Sequence, residues 1–149
     1  MSNSPVILEK RLYTATATAV GGREGRAKSD DGILDVAIVP PKSLGGSGAG
    51  TNPEQLFAAG YAACFGSAIA AVARAKKITT GAVSVTIKVT LGTVGQGYGL
   101  AVELAASLPD LPRDQAEALV AAAHQVCPYS NATRGNIVVD VKLAEHPEH

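Results

Sequence analysis

The chain has 149 residues, 46% of them hydrophobic, with 13 basic side chains against 13 acidic ones and a pI of about 6.8. That is a one-domain length, and the balanced charge excludes an electrostatic footprint for nucleic acid or an anionic membrane. The hydrophobic content excludes a disordered chain, and two Phe, four Tyr and no Trp offer little for stacking bases.

The first ten residues show no basic region followed by an apolar stretch, so a cytoplasmic protein without a secretory leader is expected. Leu12 to Val20 alternates threonine with Tyr13 and alanines, the period of a strand. Gly21-Gly22 breaks it and leads into Arg23. A short strand between Gly25 and Asp30, an Asp31-Gly32 turn and a strand through Leu34, Val36 and Ile38 complete a three-stranded meander, stopped by Pro40-Pro41. Gly45 to Gly50 reads as a flexible lead-in; without the Gly-Lys-Ser/Thr ending it is a poor phosphate cradle.

Thr51 to Arg74 is the longest expected helix. Thr51 or Asn52 can cap it, Pro53 suits its first turn and Glu54 favours the positive end of its dipole. No charge occurs from Gln55 to Ala73, so a central helix wrapped by the rest of the chain is expected rather than a membrane span. Cys64, one of two cysteines, sits in its middle.

Val83 to Leu91 alternates clearly, as does Leu100 to Ser107; the glycines at 92, 95, 97 and 99 suggest a long loop between these strands. After Pro109 and Pro112, Ala116, Leu119, Val120, Ala123 and Cys127 mark the apolar face of a second helix that Pro128 ends. Tyr129 to Gly135 reads as a turn-rich connector, Ile137 to Leu143 as a last strand, and His146 and His149 as part of a polar tail. One α+β domain over 1–149, with mainly antiparallel strands, accounts for this order.

On pattern alone the two cysteines read as small core residues, the usual fate of a free cysteine, ahead of a redox pair. A zinc site at Cys64, His124 and Cys127 lacks a clear fourth ligand, and His124 also reads as a helix-end residue favoured by the dipole. No nucleophile-elbow sequence supports a serine hydrolase.

Three blocks carry a resemblance: Tyr13–Arg26 (YTATATAVGGREGR), Thr51–Phe65 (TNPEQLFAAGYAACF) and His124–Asn136 (HQVCPYSNATRGN). Together they resemble the organic hydroperoxide resistance proteins, the Ohr branch of the Ohr/OsmC superfamily, across about Leu12 to Leu143. The small residues from Gly66 to Ala75 depart from the bulkier ones usual there. The resemblance implies an OsmC-like fold with strands around two central helices in an intertwined homodimer. It implies a thiol peroxidase that reduces organic hydroperoxides to alcohols and protects against oxidative stress. Cys64 matches the peroxidatic cysteine, Cys127 the resolving one, Arg23 the active-site arginine and Glu54 its carboxylate partner. No bound cofactor or metal is implied; the reductant is dihydrolipoamide carried on a lipoylated protein. A non-catalytic binder of apolar ligands and a redox sensor are the alternatives on the same fold.

Chemistry sets conditions on those roles. With a free-cysteine pKa near 8.5, only about 3% of a thiol is thiolate at pH 7, and burial lowers that further. Cys64 lies well beyond the helix's first turn, where the dipole does not help, so a cation is required and Arg23, held by Glu54, is the candidate. Glu54 and Cys64, ten residues apart, stand about 15 Å apart along a straight helix. Arg23 and Glu54 are therefore expected to reach the Cys64 of a partner subunit, the alternative being a kink at Gly60 that brings the three together within one chain.

Overall fold

The computed structural model describes residues 4–144, so the tail carrying His146 and His149 lies outside the described residues. Two compact units divide the chain, one up to Leu56 and one from Phe57 onward.

In the first unit, β1 (Ala17–Val20), β2 (Gly25–Ser29) and β3 (Asp35–Ile38) form an antiparallel meander in that order. The strand expected from Leu12 begins only at Ala17. Its partner β2 ends at Ser29, opposite Ala17, and Asp30 N–H to the Thr16 carbonyl is the last link before the β2–β3 turn. Residues further upstream have no ladder to join. The Asp31-Gly32 turn is held by the Asp31 carboxylate, which accepts from the Ile33 N–H at 3.0 Å and from the Ser29 hydroxyl. Among the described residues of this unit only Ile38 and Asn52 are buried, so the sheet has no hydrophobic core of its own.

The glycine-rich stretch is not a loose lead-in. A 3₁₀ turn at Lys42–Leu44 precedes it, and Gly46 and Gly48 N–H donate to Pro41 and Pro40 carbonyls. Thr51 then returns to β3, donating to Ala37 and accepting from Val39 at 2.8–2.9 Å. Short residues let the segment fold back where periodicity suggests only flexibility.

Helix α1 (Pro53–Ala75) opens with the Gln55 N–H bonded to Asn52 Oδ1 at 2.9 Å, so Asn52 is its cap. At the far end Lys77 takes a left-handed φ of 56°, and Ile78 and Lys77 N–H return to the Ala73 and Arg74 carbonyls. That is a Schellman stop with lysine where glycine is usual.

The second unit holds the core. β4 (Ser84–Val94) and β5 (Gly97–Ser107) pair over their full length, from Ser84 opposite Ser107 to Val94 opposite Gly97. The expected long loop is thus a two-residue turn, Gly95-Gln96: the glycines continue the ladder because a strand tolerates them where no packing is required. α2 (Arg113–Val126) and α3 (Pro128–Thr133) carry the chain across to β6 (Val139–Leu143), which pairs parallel to β5. A parallel neighbour demands such a crossover, and among the described strands β5–β6 is the pair that departs from the antiparallel pattern. The connector after Pro128 is a short helix, with proline at its first position. Tyr61, Phe65 and Ile69 of α1 pack with Val102, Leu104 and Ala106 of β5 and with Leu119, Val120 and Ala123 of α2, all buried.

α1 is long and apolar enough to cross a bilayer by length and composition, but it is not wrapped on every side. Tyr61, Phe65, Ala68, Ile69 and Ala73 are buried. Ala59, Ala63, Ser67, Ala70, Ala71 and Arg74 are exposed along the other face. The expectation of a fully enclosed helix fails because the sheet and α2 cover one face only. Mixed α+β architecture, with two sheets and three helices, is the outcome.

Candidate active site

Cys64 lies on the covered side of α1, flanked by buried Phe65 and one turn after buried Tyr61, and is itself only partly exposed. Cys127 is fully buried at the single residue between α2 and α3. Its N–H donates to the Ala123 carbonyl and its carbonyl accepts from Asn131, both at 2.9 Å, so it ends one helix and begins the next. This elbow brings Cys127 beside Cys64, near enough for it and the Tyr129 N–H to act on the ionisation of the Cys64 thiol. Both cysteines are free thiols.

Burial pushes the Cys64 thiol above its ordinary pKa, Cys127 adds to the rise and the Tyr129 N–H opposes it. Without a further cation Cys64 stays protonated at neutral pH.

Arg23 and Glu54 come together within the first unit. Arg23 tops the β1–β2 turn because Gly21 and Gly22 adopt φ of 85° and 59°, left-handed values that other residues resist. Its two terminal nitrogens donate to the two oxygens of Glu54 at 2.8 and 2.9 Å, a planar two-point pair. The guanidinium, by hydrogen bonding, lowers the Glu54 pKa, and Glu54 raises that of Arg23 in turn. Glu54 is the more buried partner, at 17% side-chain exposure against 44%.

Near the thiols lie Tyr61, Tyr129, Phe57 and Ser130, to which the sequence assigned no role, and His124. Tyr61 and Tyr129 face each other at 5.5 Å between ring centroids, tilted by 38°, with Phe57 edge-on to Tyr129 at 5.8 Å. The Tyr61 hydroxyl shares a hydrogen bond with Ser130 at 2.7 Å, and Ser130 one with His124 Nδ1 at 2.8 Å. The only signal for Tyr61 and Ser130 was position, three before Cys64 and three after Cys127; His124, three before Cys127, was marked as a ligand or helix-end residue and not as a partner of Ser130. His124 stands in the last turn of α2, as expected, and burial, then the Arg134 guanidinium, lowers its pKa. Among the described residues no three His, Cys, Asp or Glu side chains converge as metal ligands.

Beside Tyr129 lies a hollow of about 420 Å³ lined by Phe57, Leu100, Pro128, Tyr129, Ala132 and Ile137, mainly apolar. Gly60 permits Tyr129 to sit there: a Cβ at Gly60 would meet the Tyr129 hydroxyl at 2.5 Å.

Residues 45–142 match the family model for OsmC-like proteins. The chain is 56% identical over 138 residues to an organic hydroperoxide resistance protein of Xanthomonas axonopodis pv. citri, covering 91% of this chain and 97% of that one. A solved organic hydroperoxide resistance protein from Legionella pneumophila is 52% identical with a TM-score of 0.87, over 91% of this chain and 100% of that one. The OhrB structure of Bacillus subtilis is 47% identical with a TM-score of 0.81, over 90% and 100% respectively.

Proposed function

This chain belongs to the OsmC-like family, in its organic hydroperoxide resistance branch, and from that premise we propose that it is a cysteine-based peroxidase of organic hydroperoxides. The observation that carries the reading is the paired, unbridged thiols of Cys64 and Cys127 beside an apolar hollow. The Cys64 thiolate attacks the terminal oxygen of R–O–O–H; the O–O bond breaks, Cys64 becomes a sulfenic acid, and the alkoxide takes a proton to leave as alcohol. Cys127 then displaces the hydroxyl from sulfur, forming the Cys64–Cys127 disulfide and water. An external dithiol, dihydrolipoamide on a lipoylated protein, returns both thiols by exchange.

Arg23, held flat by Glu54, is the cation that offsets the burial of Cys64, and it serves the thiol of a second copy of the chain. Two features support a homodimer. The first unit has no core of its own, and the open face of α1 is a line of alanines and Ser67 on which a second helix can pack closely. The hollow beside Tyr129 suits an alkyl or acyl tail. Two unbridged thiols suit the reducing cytoplasm.

Mass spectrometry after one equivalent of cumene hydroperoxide tests the chemistry. The expected product is a Cys64–Cys127 bridge within one chain with cumyl alcohol released in equal amount. Cys64 carried to sulfinic acid with Cys127 still a free thiol would remove Cys127 from the cycle.

A further inference from the structure

Beside the two thiols runs a second connection between the same elements. Tyr61 precedes Cys64 by one helical turn on α1; His124 and Ser130 lie three residues before and after Cys127. Their side chains form one line, Tyr61 Oη to Ser130 Oγ at 2.7 Å and Ser130 Oγ to His124 Nδ1 at 2.8 Å, with Tyr61 and Ser130 fully buried. Arg134 closes the elbow from outside: one terminal nitrogen donates to Asn131 Oδ1 at 2.7 Å and the other to the His124 carbonyl. The line therefore ties α1 to both arms of the α2–α3 elbow, one turn away from each sulfur.

The line has a direction set by its protons. Ser130 and Tyr61 each own one hydroxyl proton. When His124 is neutral with its proton on Nε2, Tyr61 donates to Ser130, Ser130 donates to Nδ1, and each group is satisfied. When His124 is an imidazolium, Nδ1–H donates instead. Ser130 then accepts from Nδ1–H, and one of the two hydroxyl protons, on Ser130 or on Tyr61, has no acceptor in the line. A buried donor without an acceptor is costly, so protonation loosens the line. The charged group set against His124 is the Arg134 guanidinium; the other titratable groups around the line are the Tyr129 phenol and the two thiols. Burial and Arg134 both act to keep His124 neutral.

We propose that Tyr61, Ser130 and His124 are positioning residues for the disulfide-forming step, a hydrogen-bonded brace that holds Cys127 within reach of the Cys64 sulfenic acid while His124 is neutral. The inference rests on the peroxidase reading. In the step concerned, the Cys64 S–O bond breaks, the Cys64–Cys127 S–S bond forms, and hydroxide leaves with the Cys127 proton as water. The brace acts on this step and not on the attack on peroxide, which needs only Cys64 and its cation.

Rapid mixing of the reduced full-length protein with cumene hydroperoxide, quenched with acid and read by mass spectrometry, separates thiol consumption from disulfide closure. At pH 7 Ser130→Ala is expected to close the disulfide about tenfold more slowly, the scale of one lost buried hydrogen bond. Its hydroperoxide consumption stays at the wild-type rate. Wild-type closure, a thiolate attack, slows on acidification and then more steeply once His124 takes up a proton. His124→Asn offers a neutral acceptor near the Nδ1 position, so it restores closure at pH 7 and lacks the steeper limb. Wild-type closure rates in Ser130→Ala, or one unbroken slope in the wild type, would overturn the brace while leaving the peroxidase reading intact. A wild-type protein that consumes no hydroperoxide and forms no bridge would overturn that reading itself.

Discussion

Burial sets Cys64 a problem at the scale of single side chains: it favours the unreactive thiol over the thiolate that the proposed chemistry needs. The proposed answer is Arg23, and its removal has a definite sign. Taking away a positive charge raises the thiol pKa, and each unit costs about tenfold in thiolate at pH 7. Arg23→Ala is therefore expected to move the pH midpoint of Cys64 alkylation upward and to slow cumene hydroperoxide consumption by one to two orders of magnitude; an unmoved midpoint would exclude Arg23 as the cation. Glu54→Gln leaves the guanidinium untethered and is expected to show a smaller shift in the same direction. Glu54 also makes a stability statement. Its folded pKa is depressed, so its contribution is complete above the ordinary carboxylate pKa and is lost only as pH falls through the lower folded value. Urea unfolding of wild type and Glu54→Gln should thus differ at neutral pH and converge below the usual carboxylate range. Convergence already near pH 5 would contradict the pairing.

Elements were legible where a periodic signal was local. The uncharged α1, the alternating β4 and β5 and the apolar stripe Ala116–Leu119–Val120–Ala123 of α2 all stand close to their expected places. What periodicity missed depended on partners or on compact turns. β1 stops where β2 stops, the β4–β5 connection tightens to Gly95-Gln96, and Pro128–Thr133 is a helix because proline starts one as readily as it ends another. For the site, the thiols and the Arg23–Glu54 contact were readable from the motif blocks, whereas the line joining Tyr61, Ser130 and His124 was not, since its hydrogen bonds join residues up to 69 apart in sequence. Gly60 is the sharpest test at this scale. A methyl group there meets the Tyr129 hydroxyl, so Gly60→Ala is expected to displace Tyr129 and cost about 1–3 kcal/mol, the usual range for overpacking. Chemical denaturation measures the loss; an unchanged midpoint would mean that Tyr129 moves freely.

For the whole molecule, the chain leaves apolar surface uncovered that a stable protein hides: Val6, Ile7, Leu8, Leu12 and Tyr13 are each at least 66% exposed, and the small-residue face of α1 is bare. A twofold dimer that buries these surfaces predicts a melting temperature that rises with protein concentration. Placing a large side chain in the seam, as in Ser67→Trp, should shift the sedimentation profile toward monomer. A concentration-independent melt with a monomeric profile for the wild type would remove the homodimer, and with it the delivery of Arg23 across an interface. The central claim remains peroxide reduction at Cys64. Its most direct measurement is steady-state turnover with dihydrolipoamide as reductant, comparing cumene hydroperoxide with hydrogen peroxide for the wild type and Cys64→Ser. The account predicts turnover by the wild type, faster with cumene hydroperoxide, and none by Cys64→Ser. No turnover by the wild type, or equal turnover by Cys64→Ser, would contradict it.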